Sequence, residues 1–439
     1  MAHNFIACER DQPMLLPPDL RDWLAEDHLA WFILDAVSEL DLGGFFADYR
    51  DDGWGRAAHD PEMMVALLLY AYATGERSSR RIERKLTDDV AFRVISANQR
   101  PDHATIARFR SRHQEALSGL FSEVLSLCAE AGLVSVGTLA LDGTRLQADA
   151  ADRQNRSYAQ IADEILAEAE ATDAAEDAEH GDARGDELPG DRRSRRERLR
   201  EAKRRLDAQH EAKVSEMAAW TEAKAEYTAR TGYLKKGGPK KPRPIRPIEE
   251  TRTNLTDPDS RPVKTARGFI QGYTAQAATT EGQVIVAADV ITGANERHRL
   301  EPMARAAEAE LAKAGITAKP ATVLADAGYW NSPQIRSLEA TGTRVLCPPD
   351  ADSRKAPTKI RSGPDYEWMR RRLKEPEAEE AYRRRQQIVE PVFAQIKSRQ
   401  RGSRFTRRGL AACRAEWRLT AATHNLLKLY FATRAPQAA

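Results

Sequence analysis

The sequence contains no long apolar run and few cysteines, and each absence excludes a class of protein. Its longest apolar stretch, residues 63–73, falls short of the ~20 residues that a bilayer-spanning helix needs. The opening residues, MAHNFIACERDQ, lack the basic and then apolar layout of a signal peptide, so we expect a cytoplasmic protein. The 4 cysteines form no C-x-x-C pair, which argues against a zinc ribbon and against a disulfide framework.

An excess of charge of one sign is also missing. The 439 residues include 68 Lys and Arg against 66 Asp and Glu, a formal net charge of +2. This balance excludes a uniformly basic nucleic-acid coat, so a site for a polyanion must come from local segregation of charge. The length and the 41% hydrophobic content predict two or three domains.

Residues 18–133 carry apolar side chains at helical spacing, and no strand pattern interrupts them. One of these helices opens with Asp60 as its cap and Pro61 in its first turn. We therefore predict an all-helical amino-terminal domain over residues 1–133.

Two short helices within this domain are predicted at Ser79–Leu86 and His103–His113. Such a pair permits a helix-turn-helix-like unit whose second helix displays Arg108, Arg110 and Arg112 to DNA. A helical bundle with a solvated basic face is the alternative, because no tight turn containing glycine joins the two helices. The amino-terminal domain is thus a candidate DNA-binding domain.

Strand patterns begin after residue 133, where β-branched and apolar residues alternate over Val134–Leu146. Further strands are predicted, with helices after the third, fourth and fifth, at Phe269–Thr279, Gln283–Thr292, Ala321–Ala325 and Arg344–Cys347. This order is that of an RNase H-like domain interrupted after its first strand, so we predict an α/β fold with a mixed sheet over residues 134–150 and 251–435. A Rossmann-type sheet is the alternative, but the chain has no G-x-G-x-x-G turn.

Residues 151–250 separate the first predicted strand from the second and have the composition of a charged, mainly helical insertion. Eleven acidic residues accompany one basic residue between positions 161 and 190, so we expect that stretch to be solvated and partly disordered. Asp191–Arg230 is rich in helix formers and predicts a long helix or a helical hairpin. The basic, proline-rich residues 234–247 predict a linker.

Three acidic residues stand where an active site would need them. Asp142 and Asp326 are predicted at the ends of two strands, each with a glycine within two residues, and carboxylates at strand ends point into the crevice of an open α/β sheet. Glu390 lies one position off an apolar helical stripe, and Lys397 follows two turns later. Pro391 predicts that the helix begins there or kinks there.

Such a set of carboxylates fits metal-dependent chemistry at a phosphodiester. Mg²⁺ prefers hard oxygen ligands, and two ions can clamp the attacking and the leaving oxygen. Taken singly, Asp142 is explained as a turn residue, Asp326 as a helix cap and Glu390 as a surface acid. Their joint placement, in the order strand, strand, helix, favours the metal site.

Charge is strongly segregated between Arg383 and Arg418, where eleven basic residues accompany two acidic ones, a net charge of +9. Because like charges repel, such a surface is unfavourable unless a polyanion binds to it. We therefore expect sequence-independent contacts with the phosphate backbone of DNA. The candidate contacts are Lys397, Arg399, Arg401, Arg404, Arg407 and Arg408.

Several blocks follow one another along the chain: LALDGT, TNLTDPDSRPVKTARGFIQGYTAQAA, VLADAGYW, YRRRQQIVEPVFAQIK and EWRLTAATHNLLKL. In order and character they resemble the DDE transposases of bacterial insertion sequences. PEMMVALLLYAYATGERSSRRI and PDHATIARFR also resemble that family's amino-terminal domain. The resemblance implies that Asp142, Asp326 and Glu390 are the catalytic and metal-binding residues, with Mg²⁺ as the metal or Mn²⁺ in its place.

A related signature reads Tyr, two residues, Arg, three residues, Glu, six residues, Lys. Glu390 and Lys397 have its spacing, and so do Tyr382 and Arg385 relative to each other. Four residues rather than three separate Arg385 from Glu390, so the signature does not assign roles to Tyr382 and Arg385.

The resemblance implies a transposase that binds terminal inverted repeats, nicks the DNA ends and transfers the 3′-OH to target DNA. It implies double-stranded DNA as the partner, a homodimer on paired ends, and a location at the nucleoid. Two alternatives remain open at this point. One is a plain nuclease without strand transfer, and the other is a DNA-binding regulator or inactive derivative without catalysis.

Overall fold

The computed structural model describes residues 20–47, 49, 58–167, 195–232, 238–239, 241–350 and 362–434. Its amino-terminal part is helical, as predicted, and after a short 3-10 turn it contains α1 (Leu29–Ser38), α2 (Gly43–Phe46), α3 (Pro61–Ala73), α4 (Ser79–Asp88), α5 (Val90–Ile95), α6 (His103–Arg112) and α7 (Gln114–Glu130). The predicted cap of α3 is confirmed, because Asp60 Oδ1 accepts a hydrogen bond from Glu62 N at 2.7 Å. No helix in the described ranges combines the length and the apolarity that crossing a bilayer requires.

The proposed helix-turn-helix pair is not consecutive. Helix α5 lies between α4 and α6, and Asp89 caps it by accepting hydrogen bonds from the first-turn amides. The chain then turns back through Ala97 and Asn98, whose φ values of 48° and 62° are positive. Sequence reasoning treated this stretch as a connection because α5 is only six residues long.

The carboxyl-terminal part contains the predicted mixed sheet. Its strands are β1 (Thr138–Gln147), β4 (Arg261–Thr265), β5 (Gly268–Thr280), β6 (Ile285–Thr292), β7 (Thr322–Ala325) and β8 (Arg344–Leu346). β5 is central and antiparallel to β1, while β7 and β8 run parallel to β1 on its other side. β6 pairs with the second half of β5, and β4 pairs with its first half. The RNase H-like fold class is thereby confirmed.

Asp142 is not at the end of its strand, contrary to the prediction. β1 continues to Gln147 because β5 supplies antiparallel partners as far as the pair Gln147 and Gly272. The parallel partner β7 stops earlier, at the pair Leu141 and Ala325. Asp142 therefore lies in the middle of β1, one residue beyond the end of the parallel ladder.

Five helices accompany the sheet: α10 (Leu300–Lys313), α11 (Ser332–Ala340), α12 (Pro364–Arg372), α13 (Pro376–Ser398) and α14 (Leu410–Ala432). Helix α13 runs through Pro391 without a new start, so the expectation that a helix begins there is wrong. A proline deprives the carbonyl four residues earlier of its donor. Gln283, in the turn between β5 and β6, replaces that donor by bonding through Nε2 to Gln387 O at 3.0 Å.

One apolar core runs through the amino-terminal helices and the sheet. Helix α14 joins the two parts by packing against α7 on one side and against β6 on the other. Trp417 is fully buried in this core and donates from its indole to Gln276 O at 2.8 Å. Residue 133 thus marks a change of secondary structure within a continuous core.

The insertion between β1 and β4 has a small core of its own. It contains β2 (Asn155–Ser157) paired with β3 (Arg252–Asn254), a helix α8 over residues 158–167, and α9 (Arg195–Thr231). Ile161 packs with Leu199 and Leu206, so the expected solvation of residues 161–190 is wrong at its first residue. The remaining acidic stretch from 168 onward lies outside the described residues, and so does part of the predicted linker. The 191–230 segment forms one helix from Arg195 and not a hairpin.

The segment TDPDS, before β4, supports the start of α14. Both carboxylate oxygens of the fully buried Asp257 accept the Tyr273 hydroxyl at 2.8 Å, and Oδ1 also accepts Gly409 N at 3.2 Å. Asp259 Oδ2 accepts Leu410 N at 2.9 Å. The helix cannot cap itself, because Gly409 has no side chain and a φ of 85°. These aspartates therefore supply acceptors for orphan amides.

We predict that Asp257→Ala lowers the free energy of unfolding by about 1–3 kcal/mol. The substitution leaves the buried Tyr273 hydroxyl and the amide of Gly409, before α14, without their hydrogen-bond acceptor. Denaturant unfolding measures this. Tyr273→Phe should cost little more when added to Asp257→Ala, because its partner is already gone. Fully additive costs would show that the two side chains do not act together.

Candidate active site

The pairing of β1 with β7 brings two aspartates together. The last parallel pair is Leu141 with Ala325, so Asp142 and Asp326 are the next residues on two adjacent strands. Neighbouring strands are about 4.8 Å apart, which leaves the two carboxylates in the same crevice. The structure thus places the two acids next to each other, and their role as an active site stays a prediction.

Asp142 is the more constrained of the two. Burial raises the pKa of Asp142 above its ordinary value, and repulsion from Asp326 adds to the rise. Two contacts oppose it: Arg385 Nη1 lies 3.1 Å from Oδ2, and Gly143 N donates to Oδ1 at 2.7 Å. The attraction is mutual, since Asp142 raises the pKa of Arg385 although burial of the guanidinium works against its charge.

Asp326 is not the cap of the following helix. That role belongs to Asn331, whose side chain accepts from Gln334 N at the start of α11. Asp326 instead caps the short 3-10 turn Ala327–Tyr329, where its Oδ1 accepts a hydrogen bond from Gly328 N at 2.9 Å. The explanation of Asp326 as a helix cap for α11 is therefore set aside.

Glu296 is a third acid near both aspartates, and sequence reasoning missed it. Burial raises the pKa of Glu296, and the charges of Asp326 and Asp142 raise it further. Arg145 compensates the charge of Glu296 by donating two hydrogen bonds to its carboxylate, at 3.1 and 3.2 Å. The close approach needs a glycine, because a Cβ on Gly143 would lie 2.0 Å from Glu296 Oε1. No motif marks Glu296, which lies in a loop between β6 and α10.

Glu390 is exposed on α13, on the same edge of the helix as Lys397. It has no ion-pair partner among the described residues, whereas Lys397 Nζ hydrogen-bonds to the Thr144 hydroxyl on β1. Arg385, five residues before Glu390, bonds to Asp142 on the same strand. Glu390 is thus carried between two contacts of α13 with β1.

Tyr382 and Arg385 lie beside the candidate active site, which their spacing in the sequence did not predict. Burial raises the pKa of Tyr382 to about 12, and its hydroxyl interacts with Arg385. Arg385 in turn is buried against Asp142. These side chains therefore face the candidate active site, although one more residue than the signature allows separates Arg385 from Glu390.

The carboxylates fit a divalent cation, but no three Asp, Glu, His or Cys side chains in the described part of the chain already form a metal-binding cluster. Asp142 and Asp326 supply hard oxygen ligands whose mutual repulsion a cation would relieve. Glu296 is paired with Arg145, as Asp142 is with Arg385, whereas Glu390 has no ion-pair partner in the described ranges.

The arginines expected at DNA differ in how far they are exposed. Arg399, Arg401, Arg404 and Arg408 are exposed on or after the end of α13, and Arg108 and Arg112 are exposed on α6. Arg407 is half-buried and donates to Gln114. Arg110 is only 6% exposed and bonds to Tyr72 and Thr406, so the expectation that α6 displays it to DNA is wrong. The buried positions of α6 face the core, and Arg110 is one of them.

Comparison with known families gives two matches, one in each part of the chain. Residues 18–112 match a family described as a transposase domain (DUF772). Residues 343–430 match a family described as a transposase DDE domain. The second match includes α13 with Arg385, Glu390 and Lys397, and a DDE domain implies dependence on divalent metal in general. No curated protein and no solved structure matches the chain.

We predict that Arg385→Met lowers the free energy of unfolding by about 1–3 kcal/mol, because it leaves the half-buried Asp142 beside Asp326 without its cation. Adding Asp142→Asn should restore part of the loss, since the uncompensated charge is removed. A double-mutant cycle from denaturant unfolding measures the coupling. A coupling near zero would show that the ion pair does not stabilise the fold.

Proposed function

We propose that the chain is a DDE transposase of the insertion-sequence type, which binds the terminal inverted repeats of its own insertion sequence, nicks the DNA there and joins the 3′-OH to target DNA. The observation that supports this chemistry best is the register of β1 and β7, which places Asp142 beside Asp326. Strand transfer needs two ends and a target, so we expect a homodimer on paired ends, acting at the nucleoid in the cytoplasm.

We propose that Asp142, Asp326 and Glu390 hold the divalent metal, with Mg²⁺ or Mn²⁺ in that place. Such a metal, when bound, supplies Lewis-acid activation of the attacking oxygen and stabilisation of the leaving oxygen. Glu390 is exposed and free, so it can turn toward the aspartates from its edge of α13. We place the bound DNA along this edge.

Two basic residues of α13 hold the substrate phosphate in this proposal. Arg385 is fixed by Asp142 and Tyr382 and presents a planar fork of donors, which suits a phosphate. Lys397 lies further along α13, on the edge that carries Glu390, and its Nζ contacts the Thr144 hydroxyl. Together they would bind the DNA backbone on both sides of Glu390, so that the scissile phosphate is held where the carboxylates converge.

A plain nuclease and a regulator without catalysis remain the competing functions. A regulator has no need for two crowded, partly buried aspartates, which cost stability unless a cation or a reaction uses them. A nuclease would use the same acids but release nicked ends without joining them. Joined products with target DNA therefore distinguish the proposed function from both.

We predict that Asp142→Asn, Asp326→Asn and Glu390→Gln each abolish cleavage and joining and leave binding to the DNA ends largely intact. Each change removes a negative charge with little change of volume. Nicking and gel-shift assays on the same preparations, with Mg²⁺ and the repeat DNA, measure both properties.

Glu296→Gln is the matched control for Glu390→Gln, because it neutralises the other glutamate near this site. We expect the Glu296→Gln variant to keep Mg²⁺-dependent nicking. We expect its free energy of unfolding to fall, because the ion pair with Arg145 is lost. If Glu296→Gln abolished nicking and Glu390→Gln did not, the third metal ligand would be Glu296.

We predict different effects for the exposed arginines of the two domains. Arg399→Gln and Arg408→Gln should weaken repeat and arbitrary DNA about equally and reduce the salt slope by roughly 0.9 per lost phosphate contact. Arg108→Gln and Arg112→Gln should cost about 1–3 kcal/mol on the repeat and much less on arbitrary DNA, because we assign them to base edges. Salt titrations on both DNAs measure this, and the opposite pattern would reverse the assignment.

A further inference from the structure

A cleft of about 600 Å³ lies between the amino-terminal helices and the loop that joins α13 to α14. We call it the arginine cleft. One wall carries Arg77, Arg80 and Arg81 at the start of α4, and the other carries Arg401, Arg404 and Arg407. Residues more than 300 positions apart in the chain thus meet around one space.

The acids near the arginine cleft do not neutralise it. Glu76 is shared between Arg81 and Arg401, at 3.2 and 3.4 Å. Asp149 is likewise shared between Arg404 and Arg408, at 2.7 and 2.8 Å.

Arg80 is exposed and has no ion-pair partner among the described residues. Because each nearby carboxylate already serves two guanidinium groups, the cleft keeps a positive excess that attracts an anion.

The start of α4 adds uncompensated donors. Ser78 occupies the cap position, but its side chain makes no capping hydrogen bond. The amides of Ser79, Arg80 and Arg81 therefore have no partner within the helix, and they stand at the positive end of its dipole. An anion at this point would accept those amides and face Arg80 as well.

Arg77 gives a second, independent indication that an acceptor is missing. It is only 4% exposed and lines the arginine cleft, yet its Nε has no hydrogen-bond partner within the described structure. Its Nη2 is held by Thr420 and lies 3.5 Å from Glu416, so the guanidinium is fixed in place. A buried donor without a partner costs stability, which a ligand acceptor in the cleft would offset.

The arginine cleft is also positioned relative to the aspartates. The loop 399–408 is tied to the end of β1, since Gln147 N donates to Ser403 O and Phe405 N donates to Gln147 O. Gln147 is five residues beyond Asp142, which is about 17 Å along an extended strand. A duplex advances about 3.4 Å per nucleotide along its axis, so DNA whose axis follows β1 would span about five base-pair steps over this distance.

We propose that the arginine cleft seats the phosphate backbone of duplex DNA, about five nucleotides from the phosphodiester at Asp142. The amides of α4 and Arg80 would hold one phosphate, and Arg401 with Arg404 would hold its neighbours. The distance rests on the proposed function, whereas the binding surface does not. DNA in the cleft contacts both parts of the chain at once, so that the end is held in one position relative to the carboxylates.

Affinity for a long duplex of arbitrary sequence tests the surface. Arg80→Gln should weaken binding and reduce the salt slope by roughly 0.9. Arg84→Gln is the matched control, because Arg84 is exposed one turn further along α4 and does not line the cleft. Its affinity should stay at the wild-type value. Equal affinities for the two variants would overturn the proposal, and so would full competition by millimolar inorganic phosphate, which would mark a site for the free ion.

Replacing single phosphates by neutral methylphosphonates in the repeat DNA tests the position. A neutral group about five nucleotides from the cleavage point should weaken binding by the wild-type protein. The same group should not change the affinity of the Arg80→Gln variant, which already lacks the contact. Additive losses at every position would place the backbone elsewhere. Failure of the two proposals is distinguishable, because a protein that never cleaves can still show the Arg80 effect, and a protein that cleaves can lack it.

Discussion

The parallel pairing of β1 with β7 places two carboxylates in one crevice, and neighbouring side chains compensate the repulsion between their charges. Asp142 and Asp326 follow directly on the last paired residues, so neither can move away without breaking the ladder. Burial leaves little water to screen them. In the structure Arg385 supplies the compensating charge to Asp142, and in the proposed reaction a divalent cation would share that task.

Helix α13 brings Arg385 to Asp142 and Lys397 to Thr144, and it makes both contacts as one helix that continues across Pro391. A break at the proline would separate the orientation of Arg385 from that of Lys397, and both contact β1. The side chain of Gln283 removes the cost of the missing amide by bonding to Gln387 O. A residue of the turn between β5 and β6 thus satisfies the carbonyl that Pro391 leaves without a donor in the helix that carries Glu390.

The type of the secondary-structure elements and their order along the chain could be predicted from the sequence, because both follow from the local spacing of apolar residues. The strands of the sheet, the long helix α9 and the fold class are of this kind. Contacts between distant segments were not readable. Glu296 meets the aspartates through a loop without a motif, and Arg110 looked like an exposed base although it is buried. Even the position of Asp142 within β1 depends on how far β5 extends, which is a property of another strand.

A single buried acid joins the amino-terminal helices to the carboxyl-terminal part of the chain. Glu416 of α14 accepts the amides of Thr406 and Arg407 at 3.0 and 3.1 Å, and it lies 3.5 Å from Arg77. It thereby holds the loop 399–408 and Arg77, which precedes α4, in one arrangement. Since its charge is almost fully desolvated, loss of the amino-terminal arginines would leave it uncompensated. Through this acid, and through the bonds of residues 403 and 405 to Gln147, the start of α4 is connected to the strand that carries Asp142.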